Sequence, residues 1–248
     1  MKTKNNTILI TGGGSGIGLE MTKLFSKENK VIITGRNAEK LQKAAAGLEN
    51  VATIACDVTQ DADVSRLVDT LHRDFPELNI VINSAGLAHY YKLTDENVNA
   101  FEKAGEEILT NYLSIVRLTE KLLPLLQKQT EAAFVNVSSI AAFSPGWVLP
   151  GYAVSKAALH SYSQVLRVSL EKSSESPVRV FEVMPPLVNT SFSTEIGGEN
   201  GIPPSEVATA LKQGFETDTY EIHVGMTADF YKLYLSSPQA ALQMMNAN

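Results

Sequence analysis

The sequence predicts an α/β fold: a doubly wound, mostly parallel sheet of seven strands with helices on both faces. Two observations carry this expectation. Short β-branched runs alternate with longer stretches of helical periodicity along the chain. A glycine-rich turn, Thr11-Gly12-Gly13-Gly14-Ser15-Gly16-Ile17-Gly18, joins the first strand candidate to the first helix candidate.

The elements follow in order. Thr7–Thr11 is the first strand, and a helix over Gly16–Lys27 leaves the turn. Lys30–Thr34, Val51–Ala55 and Ile80–Asn83 are strands, separated by helices over Ala38–Leu48 and Asp61–Asp74. A long helix near Asn99–Gln127 carries Phe101, Ile108, Tyr112, Ile115, Thr119 and Leu122 as a stripe turned to a core or a partner. Pro124 is expected to kink or end it. Ala133–Val137 is the fifth strand, Gly151–Ser173 a helix, Val178–Met184 the sixth strand and Tyr220–Val224 the least marked strand. Asn189–Pro204 holds Gly197, Gly198, Gly201, Pro203 and Pro204. A breaker-rich loop of this length is functional or mobile, so a substrate loop is expected near residues 189–215. Gln239–Met245 is expected as a short helix docked on the body or on a neighbour. No Pro-, Gly- or Ser-rich linker divides the chain, so residues 1–248 read as one domain.

Composition excludes several classes. Hydrophobic residues make up 44% and charged residues 19% of 248, ordinary globular usage. With 21 Lys+Arg against 27 Asp+Glu, neither a nucleic acid nor an anionic membrane is expected as a partner. No run approaches the ~18 apolar residues of a membrane span, and the start of the chain shows no signal-peptide stretch. Cys56 is the one cysteine and cannot close an internal disulfide, which fits a reducing compartment. A cytoplasmic location is therefore expected. His72, His89, His160 and His223 lack metal-ligand spacing, and no metal is expected.

The glycine turn has the chemistry of a dinucleotide site. Glycines permit the tight turn and a close approach of pyrophosphate, while the following helix offers free N–H donors at its positive end. The strand–turn–helix setting is that of a Rossmann-type fold. At the end of the second strand, Ile33-Thr34-Gly35-Arg36-Asn37 lacks the acidic residue that binds a ribose 2′-hydroxyl. Arg36 can instead grip a 2′-phosphate, which favours NADP(H) over NAD(H). Its other reading is an exposed arginine at a helix start.

Tyr152 and Lys156 are four apart on a helix and share a face. A nearby ammonium favours the phenolate, so Lys156 is expected to lower the pKa of Tyr152 toward acid–base work. Ser139 ends the strand Phe134-Val135-Asn136-Val137, where its hydroxyl can hydrogen-bond a substrate oxygen.

Together these residues resemble the short-chain dehydrogenase/reductase family in its compact single-domain form. The likeness rests on the glycine turn, Asp57 after the third strand, Asn83-Ser84-Ala85-Gly86 after the fourth, Asn111 in the long helix, and Ser139, Tyr152 and Lys156 at the family's interval. Two departures are Ser84 in place of the motif's second Asn and Pro185-Pro186 in place of the family's Pro-Gly. The Pro-Pro form is similar to oxidoreductases encoded beside D-alanyl-lipoteichoic acid genes.

The resemblance implies hydride transfer between nicotinamide and a carbonyl or secondary alcohol, with Tyr152 as general acid/base. Lys156 would bind the nicotinamide ribose, Ser139 would orient the substrate oxygen, and Asn111 would hold a water linking Lys156 to solvent. The cofactor would contact Thr11, Gly12, Gly14, Ser15, Gly16, Ile17, Gly18, Arg36, Asp57, Val58, Asn83, Ala85, Gly86, Tyr152, Lys156, Pro185, Val188 and Thr190. His89, Phe143 and Trp147 are candidate substrate contacts on loops at the carboxyl ends of the strands. A homodimer or homotetramer is implied as well. Two other outcomes stay open: a cofactor-binding assembly or sensor protein with little turnover, and an epimerase or dehydratase using transient oxidation.

Overall fold

The computed structural model describes residues 1–173 and 176–247. Ser174, Glu175 and Asn248, part of the expected 1–248 domain, lie outside the described residues. The strands are β1 (Thr7–Thr11), β2 (Lys30–Gly35), β3 (Val51–Ala55), β4 (Ile80–Asn83), β5 (Ala132–Val137), β6 (Val178–Met184) and β7 (Glu221–His223). They form one parallel sheet in the order β3-β2-β1-β4-β5-β6-β7. The chain winds outward in one direction from β1, then returns to start again at β4. That reversal leaves a crevice at the carboxyl ends of β1 and β4, where a ligand fits in such a sheet.

The intervening helices are α1 (Gly16–Phe25), α2 (Ala38–Ala45), α3 (Asp61–Asp74), α4 (Ala100–Ile108), α5 (Ser114–Leu126), α6 (Pro150–Lys172), α7 (Pro204–Thr217), α8 (Thr227–Ser236) and α9 (Pro238–Met245). Two apolar layers flank the sheet. Ile8, Ile10, Ile33, Phe181 and Val183 pack on one face with Phe25 of α1 and Phe215 of α7. Leu9, Ile32, Val81, Phe134 and Val180 pack on the other with Leu67 of α3 and Leu122 of α5. Alternation along each strand sends neighbours to opposite layers, so the central strands carry apolar side chains toward both faces.

Four expectations change. The long helix is interrupted by a five-residue π-helix, Leu109–Leu113, between α4 and α5. Pro124 does not end it at once: α5 runs two residues further, so the proline sits in the last turn. Along the stripe, Ile115, Thr119 and Leu122 are buried, whereas Phe101 is 91% exposed. The expected loop near 189–215 stops at Pro203, because Pro204 occupies the first turn of α7, where its missing N–H breaks no helical bond. Val207, Leu211 and Phe215 of α7 are fully buried and pack the helix on α1.

Among the described residues, no helix is long and apolar enough to cross a membrane.

Candidate active site

The crevice is a cavity of about 700 Å³ that runs from Arg36 and Asp57 at one end, past the glycine turn, to Tyr152 at the other. Its floor is the turn between β1 and α1. Gly12 and Gly16 have φ of +68° and +51°, the left-handed region where a side chain is strained. A Cβ on Gly12 would also lie 3.0 Å from the backbone of Ala85. A Cβ on Gly18 would lie 2.4 Å from the Gly12 carbonyl oxygen, so α1 presses directly on the turn. Ser15 precedes α1 in extended conformation and makes no side-chain cap, which leaves the first-turn amides at the cavity wall without a side-chain acceptor. This cradle fits a pyrophosphate.

Thr11 and Asn83 do not border this cavity, although the resemblance assigns both to the cofactor. The Thr11 hydroxyl accepts from the amides of Ser84 and Ala85, at 3.0 and 3.1 Å. The side chain of Asn83 donates to Asn136, which donates in turn to Ser163 of α6, at 2.8 and 2.9 Å. The Thr11 hydroxyl and the Asn83 amide nitrogen are thus spent on joining β4 to its neighbours. Ala85, Gly86, Pro185, Val188 and Thr190 do reach the wall. Arg36 is exposed at the cavity rim beside Lys40, four residues on. Asp57 accepts from the amide and hydroxyl of Thr59, which shapes the neighbouring wall at Val58.

At the far end, Ser139, Tyr152 and Lys156 converge on the wall from two elements. Ser139 follows β5, and its Oγ accepts from Ala141 N–H at 3.1 Å. Tyr152 and Lys156 lie in the first two turns of α6, with the ammonium 5.5 Å from the centre of the phenol ring. Lys156 Nζ donates to the Val137 carbonyl at 2.8 Å. Burial pushes the Tyr152 hydroxyl up to about 12, against a hydrogen bond with Ser139 that pulls it down and together with the nearby Glu107 charge that raises it. Burial likewise brings Lys156 down to about 8, opposed by the charge of Glu182. In place of the lowered tyrosine pKa expected from the Tyr–Lys pair, the pKa of the Tyr152 hydroxyl is therefore raised, with burial as the largest cause.

Asn111 lies in the π-helix and is fully buried. Its Oδ1 accepts from Leu87 N–H at 2.8 Å, and its Nδ2 donates to Leu87 O and Ser155 Oγ at 2.7 and 2.8 Å. Both amide protons are thus committed, and one acceptor lone pair is left for a water. The side chain clamps the turn after β4 to α6. π-Helical turns recur where a side chain must be set at a functional position.

The three substrate candidates do not border the cavity. Phe143 is buried among His160, His223, Tyr231 and Tyr234. His89 pairs with Glu106 at 2.8 Å, and Trp147 is half-exposed under Lys92. Their loops were placed correctly, but side-chain direction in a loop is not readable from spacing. The wall instead includes Leu149, Phe192, Ile196 and Met245. Phe192 packs beside Tyr152, ring centres 5.9 Å apart.

A further residue was missed. Glu107 is fully buried beside the start of α6, with Oε1 accepting from His89 N–H at 2.8 Å and Oε2 without a partner among the described residues. A Cβ on Gly151 would meet that oxygen at 2.0 Å. Its spacing of four from Asn111 was the available signal, since the two share a helix face.

The chain was compared with known proteins. A family profile described as short chain dehydrogenase matches residues 6–201. The uncharacterized oxidoreductase DltE of Bacillus subtilis is 36% identical over 248 residues, covering 94% of this chain and 97% of the relative. A short chain dehydrogenase from Burkholderia cenocepacia, solved in complex with NADP, superposes with a TM-score of 0.86 over 99% of both chains at 22% identity. A short chain dehydrogenase/reductase from Burkholderia phymatum, in complex with NAD, has the same TM-score over 98% of this chain and 96% of the other at 19% identity.

Proposed function

This chain belongs to the short-chain dehydrogenase family, and on that premise we propose that it is an NADP(H)-dependent oxidoreductase acting on a carbonyl or secondary alcohol. The observation that carries the reading is the meeting of Ser139, Tyr152 and Lys156 on the wall of the same cavity that the glycine turn floors. The nicotinamide dinucleotide, when bound, supplies or receives the hydride.

The chain's own groups do the rest. The amides at the start of α1 would hold the pyrophosphate, and Arg36 with Lys40 would hold a 2′-phosphate at the rim. Ser139 Oγ would donate to the substrate oxygen. With Tyr152 held near 12, the phenol keeps its proton at pH 7, while Lys156, near 8, is still mostly protonated. That pairing suits reduction: Tyr152 gives its proton to the developing alkoxide, and the adjacent ammonium stabilises the phenolate left behind. Asn111 acts on this site by positioning, through its clamp between Leu87 and α6.

The same reading includes a homodimer or homotetramer, supported by Phe101 and Leu113 at α4–α5 and by Val154, Val165 and Val168 on α6, all exposed apolar side chains. A cytoplasmic location is supported by Cys56, a buried free thiol that burial pushes up to about 11. The deciding experiment is Tyr152→Phe. NADPH binding is retained and carbonyl reduction, followed at the cofactor's absorbance, is lost. A variant that reduces its substrates at the wild-type rate overturns the assignment of the acid, and retained binding without turnover in the wild type favours a sensor.

A further inference from the structure

The ionisable side chains of the cavity are unevenly placed. Arg36, Lys40 and Asp57 stand at the carboxyl ends of β2 and β3, and sheet order puts β1 and β4 between them and the Tyr152 end at β5 and β6. Apart from the catalytic residues, the rest of the wall combines the apolar Leu149, Phe192, Ile196 and Met245 with the polar, uncharged Ser191 and Ser193. None of these carries charge. Among the described residues, the lining cation apart from Arg36 and Lys40 is Lys156, which is buried and already donates to Val137 O. A substrate carboxylate or phosphate seated here would lose its hydration and find no free counter-charge, a strongly unfavourable transfer.

The outer wall also draws on a separate element. Met245 is the last residue of α9 and packs with Phe143, Met184, Phe230 and Ala241 in a third apolar cluster. The C-terminal helix is thereby anchored where one of its side chains closes the Tyr152 end. Phe192, half-exposed beside Tyr152, adds an aromatic face from the loop between β6 and α7. Thioether and aromatic surfaces accommodate apolar groups of varied shape.

We infer that the substrate is an uncharged ketone or aldehyde with an apolar substituent next to the carbonyl, seated against Phe192 and Met245. This rests on the catalytic reading above, and the test separates the two. Two methyl ketones are compared, 4-phenylbutan-2-one and 4-oxopentanoate, which differ in an aromatic against a carboxylate end. Their binding is first measured, by thermal shift and calorimetry, to the Tyr152→Phe protein saturated with NADP, where chemistry plays no part. The expected result is at least tenfold tighter binding of the phenyl ketone. The Met245→Lys change, at a partly exposed residue near the end of the chain, supplies a cation and is expected to narrow that ratio at least threefold. Equal binding, tighter binding of 4-oxopentanoate, or binding of neither overturns the substrate class. Turnover by the wild-type protein is then measured with both ketones. A binding preference without any turnover leaves the pocket assignment standing and overturns the catalytic one.

Discussion

Replacing Gly18 by Ala tests whether the packing of α1 on the glycine turn creates the anion site. The added Cβ would lie 2.4 Å from the Gly12 carbonyl oxygen, 2.9 Å from its carbon and 3.2 Å from Gly13 Cα, all backbone atoms that cannot swing aside. Ordinary contact begins near 3.4 Å, so the helix must retreat by about 1 Å. Overpacking of this kind costs about 1–3 kcal/mol. At about 2–4 °C per kcal/mol for a chain of this size, the melting temperature falls by about 2–12 °C. The amides of Gly16, Ile17 and Gly18 move with the helix, and losing one charge-assisted hydrogen bond costs about 1.5–3 kcal/mol. NADPH affinity should then drop by about 10- to 150-fold. Fluorescence titration and thermal melting measure the two effects. Gly105→Ala in α4 is the control, since its Cβ meets nothing within 4 Å and the substitution favours the helix. A Gly18→Ala protein that melts with the wild type and binds NADPH within twofold of it would refute the reasoning.

Arg36→Asp is expected to weaken NADPH binding at least tenfold more than NADH binding, because it replaces a guanidinium at the rim by a carboxylate that repels a 2′-phosphate; equal losses sink the 2′-phosphate assignment. Glu107→Gln keeps an acceptor for His89 N–H and removes a buried charge. Burial raises the Glu107 carboxyl above its ordinary 4.5, so the folded protein holds that proton more tightly than the unfolded chain. The cost of the charge is absent below about pH 4.5 and grows as pH rises through the folded value. The variant should therefore be more stable than the wild type, by about 1–3 kcal/mol at alkaline pH, and lose that gain as pH falls toward about 4.5. A melting difference that stays constant from about pH 5 to 8.5 contradicts this account.

The strands, the helices α1–α3 and α6, the single long helix that the structure divides into α4 and α5, and the terminal helix α9 were legible because local pattern and burial agree there. β1 and β2 have the buried apolar runs Ile8–Ile10 and Val31–Ile33 at their centres, as strands covered on both faces require. α7 was hidden behind Pro203 and Pro204, which read as breakers until Pro204 is seen in a first turn. α8 follows β7, a strand of only three residues, and the sequence offers little periodic contrast over that stretch.

The candidate site divides along the same line. Glycine positions, the Tyr152–Lys156 spacing and the place of Ser139 at a strand end are local properties, so the order of residues alone determined them. The direction in which loop side chains point, the use of Thr11 and Asn83 as braces, the arrival of Met245 from the far end of the chain and the burial of Glu107 were decided only by the tertiary structure. The reason is physical. Backbone periodicity is set by near neighbours, whereas the surroundings of a loop residue or a buried charge are set by groups that folding brings together from distant parts of the chain.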